Sequence, residues 1–211
     1  MPLTRSLRVV FAVTALALVT TACGGARDLS EENISVLQNE WWAWVMSSPV
    51  DRHPVTDTTG GFCAEAQPDD IWFLAGTFGD SAGVVARTCE IPGDRPVFLP
   101  AVNILSAGAS VSGTGGGAPV QDCIAVQGQL SGVVTLDGED VVLDRVDGAQ
   151  INVGSGVMGN PLTNDLSGIS GAGCGLWARI EPLPVGEHTL TIRGEAPGFT
   201  TAVDYTLTVT G

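Results

Sequence analysis

Apolar and polar positions change period along this chain. Over 30–47, Ile34, Leu37, Trp41, Trp44 and Val45 recur on one face at helical spacing. Asp28 and Glu31 are spaced as a capping box, and Glu31 and Glu32 fall in a first turn, where the helix dipole favours negative charge. The pattern predicts one N-terminal amphipathic helix from Ser30 to Ser47, ended by Pro49. Trp42 points away from the apolar stripe, so it either fills a second contact or lies partly exposed. The plainer reading is three Trp anchoring a helix to a sheet; the sharper one is a platform on which a sugar or other ring stacks.

After a polar stretch, 50–68, the period shortens to two. Ile71 to Phe78, Gly83 to Ile91 and Pro96 to Leu105 are β-branched and aromatic runs bounded by Gly79-Asp80 and Pro92-Gly93-Asp94, which predicts three strands in a meander. Ser106 to Pro119 is Gly, Ser and Ala with nothing to build a core, so a flexible loop or linker is expected, and a subdivision there stays open. Further strands are expected over Val120 to Val126, Gly132 to Leu136, Val141 to Leu143, Ala149 to Val153, Leu176 to Ile180, His188 to Arg193 and Ala202 to Val209. Asp137-Gly138 is the sharpest hairpin turn. The last two strands alternate cleanly, as half-buried antiparallel strands do. Many short strands, Gly-rich turns and little helix predict a β-sandwich of Ig-like or jelly-roll type over residues 30–211, because a sheet with one apolar face must pack it on another sheet.

The start of the chain reads as an address. Arg5 and Arg8 precede an apolar run from Val9 to Val19, too short for the roughly 20 residues of a bilayer span but suited to a signal peptide over 1–22. It ends in Thr20-Thr21-Ala22-Cys23-Gly24-Gly25, which resembles a bacterial lipobox, although Thr20 departs from the usual Leu. Cys23 is therefore the expected lipidation site and 23–29 a lipid-anchored linker, with ordinary signal-peptidase cleavage and secretion as the alternative. Acyl chains contribute about 0.8 kcal/mol per buried CH₂, enough together for a durable anchor on the outer face of the plasma membrane.

Four more cysteines, Cys63, Cys89, Cys123 and Cys174, make an even number in an exported chain, so two disulfides are expected. Of three connectivities, the sequential one, Cys63 with Cys89 and Cys123 with Cys174, is chosen. There is no C-x-x-C, and His53 and His188 are the two histidines, so no metal and no cofactor is expected. The formal charge is −14; without residues 1–22, which hold Arg5 and Arg8, seven Arg face 23 acidic residues, giving −16. That sign repels phosphate backbones and sets nucleic acid aside as a partner.

Candidate chemistry is sparse. His53 neighbours Asp51 and Asp57 and is followed by Thr56, Thr58 and Thr59; a turn held by Asx-type hydrogen bonds and closed by Gly60-Gly61 accounts for the segment, and a binding site at His53 and Asp57 is the sharper alternative. His188 reads as structural. Gly154 to Gly159 matches G-x-G-x-x-G, but Asn160-Pro161 continues as loop where a dinucleotide fold needs a helix. Asp137, Glu139, Asp140, Asp144 and Asp147 form the densest carboxylate group, read as a solvated hairpin tip and strand in preference to a Ca²⁺ site. No catalytic residue is nominated.

Glu40-Trp41-Trp42-Ala43-Trp44, His53-Pro54-Val55-Thr56-Asp57-Thr58-Thr59-Gly60 with Cys63, Ile71 to Gly79, Arg87 to Pro92, Leu136-Asp137-Gly138, Arg145-Val146 and Pro182 to Leu190 together resemble a group of exported bacterial proteins. The resemblance spans nearly all of residues 40–210 and departs most at Ser106 to Pro119. It implies an exported, mostly β fold and carries no activity, substrate or site with it. Three functions remain. The leading one is a non-enzymatic envelope lipoprotein that binds a glycan, another envelope protein or a small ligand. The others are an envelope polysaccharide hydrolase with paired carboxylates and a structural or assembly component.

Overall fold

The computed structural model describes residues 27–79, 83–107, 123–163 and 166–211. The expected signal peptide, Cys23, residues 108–119 of the Gly-rich stretch and the start of the strand expected from Val120 lie outside these residues. Within them the chain is mostly β. The helix α1 (Ile34–Val45) is followed by β1 (Trp72–Phe73), β2 (Val85–Pro92), β3 (Val97–Ala107), a short helix α2 (Cys123–Val126), β4 (Ser131–Leu136), β5 (Glu139–Asp140), β6 (Leu143–Ser155), β7 (Ser167–Ile180), β8 (Gly186–Ala196) and β9 (Phe199–Thr210). They form two sheets, β1-β3-β7-β6 and β2-β9-β8-β4-β5. Both sheets draw strands from either side of the Gly-rich stretch.

Strand alternation sorts side chains to the two faces of the four-stranded sheet. Phe73, Phe98 and Trp177 turn toward α1, where Leu37, Trp41, Trp44 and Val45 meet them. Leu74, Val97, Leu99, Leu176 and Ala178 turn the other way, onto Val134, Ile192, Val203 and Leu207 of the five-stranded sheet. The layers therefore run helix, sheet, sheet, with one apolar core in each gap.

Several expectations are corrected. The first three strands are no meander: β1 pairs parallel with β3, and β2 leaves for the other sheet to pair parallel with β9, Val85 to Pro92 against Val203 to Thr210. The Pro92-Gly93-Asp94 turn carries the chain between sheets instead of back along one. The strand expected over Ile71 to Phe78 shrinks to Trp72–Phe73. At 123–126 the chain is helical, where a strand is expected. The helix begins at Ile34, because Asn33 caps it by accepting from the Ser35 amide at 2.9 Å, while Asp28 instead closes a turn on the Ser30 amide and hydroxyl. The strand β7 is far longer than its apolar tail, Leu176 to Ile180. Its glycines lower strand propensity, yet a Cβ at Gly173 would sit 2.5 Å from the Gln38 amide nitrogen and 2.8 Å from Ile151 Cγ1, so a side chain there would have to displace both.

The disulfides are Cys63–Cys89 and Cys123–Cys174, the sequential pairing. The first ties the polar segment 50–68 to β2; the second ties the start of α2 to β7.

Candidate functional site

The polar segment is built around two side chains. Asp57 folds it locally: one carboxylate oxygen accepts from the Thr59 amide and hydroxyl, both at 2.8 Å, and the other from the Phe62 amide at 2.9 Å. Burial opposes its charge, but these donors and the nearby Arg87 outweigh that and hold its carboxyl below the ordinary range. His53 fixes the segment to the helix. The Val55 amide donates to Nδ1 at 3.2 Å, so Nε2 carries the proton and donates to the Val45 carbonyl at 2.8 Å. That carbonyl belongs to the last turn of α1, where no intrahelical partner exists, and Asn160 donates to it as well. The His53 ring is fully buried and tilts against Phe78, and burial, helped by the charge of Arg87, pushes its pKa down to about 4. It is a neutral core group at physiological pH.

The segment then docks on the edge of β2. The Thr88 amide donates to the Thr59 carbonyl at 2.9 Å, one residue from the disulfide at Cys89. Gly60 has φ +89°, and a Cβ there would fall 2.1 Å from the Thr88 carbonyl oxygen, so both its conformation and its clearance demand glycine.

The residue that organises the site is Arg87, which in the sequence stands out only as part of the Arg87 to Pro92 motif. It occupies an inward position of β2, in the alternating set Val85, Arg87, Cys89 and Ile91, and only 3% of it is exposed. Nη1 donates to the Ala75 carbonyl (2.9 Å), the Gly76 carbonyl (3.1 Å) and the Tyr205 hydroxyl (2.8 Å), and Nη2 to the Val55 carbonyl (3.0 Å). Its guanidinium also lies over the Tyr205 ring. Every one of these partners is neutral, and Nε has none among the described residues. A buried cation without a hydrogen-bonded carboxylate leaves a positive potential in its surroundings. The period-two pattern, which places this Arg among core residues, is the signal that could have found it.

A cleft of about 210 Å³ opens where these parts meet, lined by Val55, Thr56, Asp57, Thr58, Thr77, Phe78, Val85 and Arg87. It is smaller than the roughly 300–1,000 Å³ of a typical small-molecule pocket. Such a space takes one ring or one polar arm of a larger ligand, presented with threonine hydroxyls on its rim and Phe78 as an apolar wall.

Of the nominated residues, Asp57 alone lines the cleft. Trp42 is covered, 6% exposed, edge-on to Trp41 at 5.1 Å, and its indole N–H has no partner among the described residues. It offers no open face for stacking. His188 sits at the distant hairpin end, bonded to Asp137 at 2.7 Å and to the Pro184 carbonyl at 2.9 Å. Asp137 and Gly138 both adopt positive φ, as a tight Asp-Gly hairpin requires. Asp144 pairs with Arg179 at 2.8 Å, and among the described residues no three His, Cys, Asp or Glu groups converge on a metal position. The G-x-G-x-x-G run ends β6 and passes into turns, with no helix at its end.

The class that fold and site define is a mostly β, two-sheet protein with a small cleft of mixed polarity beside a disulfide. Comparison with family models, curated proteins and solved structures finds no match for the chain.

Proposed function

We propose that this chain is an exported lipoprotein, anchored through Cys23 to the cell envelope, whose domain works as a non-enzymatic binding module with the Asp57–Arg87 cleft as its recognition site. The observation that carries this reading is Arg87: a cation buried among neutral acceptors, beside a cleft whose loop is fixed by Asp57 and held by a disulfide. Two disulfides suit the oxidising envelope that the leader implies. The ligand is a polar envelope component, a glycan or a small molecule, that inserts one ring or arm.

The sandwich is of the Ig-like type. Strand order supports this: β3-β7-β6 corresponds to B-E-D and β9-β8-β4-β5 to G-F-C-C′; β1 takes the edge position of A but runs parallel to its neighbour, and β2 is added parallel to the last strand.

The test is a binding screen of glycans and envelope extracts against the protein and its Thr58→Arg variant. Thr58 is an exposed rim residue, so the long cation fills the cleft without disturbing the bonds of Asp57. A bound partner should lose at least about tenfold in affinity, some 1.4 kcal/mol, while Val142→Arg on a remote, 87% exposed position changes nothing. Binding that ignores Thr58→Arg overturns the assignment of the cleft.

A further inference from the structure

The described residues start close in sequence to Cys23, the expected anchor. Arg27, the first described residue, bonds Glu32 and Glu40 at 2.8 Å each and approaches Asp70 at 3.6 Å. Leu29 is fully buried, and Arg179 of β7 donates to the carbonyls of Leu29, Ser30 and Glu32. Residues 27–29 therefore belong to the domain and not to a linker. Three residues lie between Cys23 and Arg27, so four Cα–Cα steps span at most about 14 Å.

The register shows which end this is. Arg179 pairs with Phe98 at the start of β3, and Asp70 lies two residues before Trp72, which pairs with Val97. Arg95, in the turn after β2, donates to the carbonyl of Pro68, two residues from Asp70. The clamp thus sits at the end of the domain where β2 finishes and β3 starts. The cleft sits where β2 begins: Val85 lines it, and Thr77 beside it bonds Thr201 near the start of β9. From Val85 to Pro92 the strand rises about 23 Å, at roughly 3.3 Å per residue.

We infer that the anchor holds the domain upright, with the Arg27 end against the bilayer and the Asp57–Arg87 cleft turned away from it toward ligands beyond the membrane. The inference rests on acylation of Cys23, as in the function proposed above. Charge does not draw this end to anionic lipid, since Asp28, Glu31, Glu32 and Asp70 all lie there; the short tether and its clamp set the orientation.

The experiment uses full-length acylated protein in phosphatidylethanolamine–phosphatidylglycerol vesicles that contain a nitroxide-headgroup lipid. A fluorescent amino acid is placed at exposed Glu31, or at Val84, which is 53% exposed beside the cleft. Quenching should be several-fold stronger at position 31. Inserting 20 Gly/Ser residues between Gly25 and Ala26 adds a reach of about 25 Å and should erase the difference. Equal quenching at both positions in protein that is acylated and floats with the vesicles overturns the orientation and leaves the anchor standing. An unmodified Cys23 by mass spectrometry overturns anchor and orientation together.

Discussion

The two gaps of this molecule are filled by different chemistry. Between the sheets lie mostly aliphatic side chains, Leu74, Val97, Leu99, Val134, Leu176, Ile192, Val203 and Leu207, with the hydrogen-bonded pair Arg87 and Tyr205 as a polar exception near the start of β2. Between helix and sheet lie rings: Phe98 stacks on Trp177 at 5.0 Å and 3°, Trp41 meets Trp177 edge-on at 5.5 Å, and Trp44 tilts on Phe73. There three of the four indole N–H groups are put to use, Trp42 being the exception. Trp41 donates to the Leu74 carbonyl, Trp44 to that of Glu65, and Trp177 to the Gln38 side chain. The aliphatic gap holds two sheets together at their usual spacing; the aromatic gap fixes one orientation of the helix, because each bond has a direction as well as a depth. The loop that forms the cleft hangs from this second gap, through His53 and Asn160 on the last turn of α1.

Truncation gives the widest contrast. Trp177→Ala removes the ring on which Phe98 and Trp41 pack and orphans Gln38, so it should cost about 4 kcal/mol, against about 3 for Leu99→Ala in the aliphatic gap. Denaturant unfolding measures both. A larger loss for Leu99→Ala would make the helix a mere cover on an autonomous sandwich.

Acid separates the two histidines. The pKa of His53 falls from 6.5 in the unfolded chain to about 4 in the fold, so below pH 6.5 the unfolded state takes up a proton that the native state refuses. Its contribution is intact above 6.5 and is lost as pH falls toward 4, up to about 3 kcal/mol. His53→Gln should flatten that part of the pH–stability curve; an unchanged slope would show the ring to be solvated in the native state.

Smaller effects refine the picture. Trp42→Phe deletes a buried N–H that has no partner among the described residues, so it should change stability by less than about 1 kcal/mol despite the loss of volume. A loss as large as that of Trp177→Ala would reveal a partner for that N–H. The least effect belongs to His188, held above the ordinary value by Asp137 first and by the Pro184 carbonyl second. Its stabilisation is complete below pH 6.5 and disappears as pH rises through its raised pKa, the opposite direction to His53. Salt should screen it, since the pair lies at the surface. In a proton NMR titration the two rings should give midpoints on opposite sides of 6.5.

The cleft was only partly legible. Asp57 and its Asx-type turn follow from local rules, because Asp, Thr and Gly at those offsets bond their own backbone. Arg87 looks like a surface residue by type, and only its neighbours Val85, Cys89 and Ile91 mark the position as inward. Trp42 misleads in the other direction: a helical wheel places it off the stripe, whereas in the fold it is buried in the helix–sheet core, edge-on to Trp41.

Taken by itself, the amino-acid order misreads 123–126 as strand and most of β7 as loop. It determines most of the strands and which face of each is apolar, where the Asp137-Gly138 hairpin turns, and that the described residues are mostly β with one long helix. Those are properties of neighbours a few residues apart, set by backbone sterics and side-chain period. Tertiary structure alone decides that β2 lies along β9, that β1 runs parallel to β3, and that Arg87 ends up under the cleft. Alternation specifies the buried face of a strand but not the edge it pairs with, and pairing between residues more than a hundred positions apart is settled only when the two cores close.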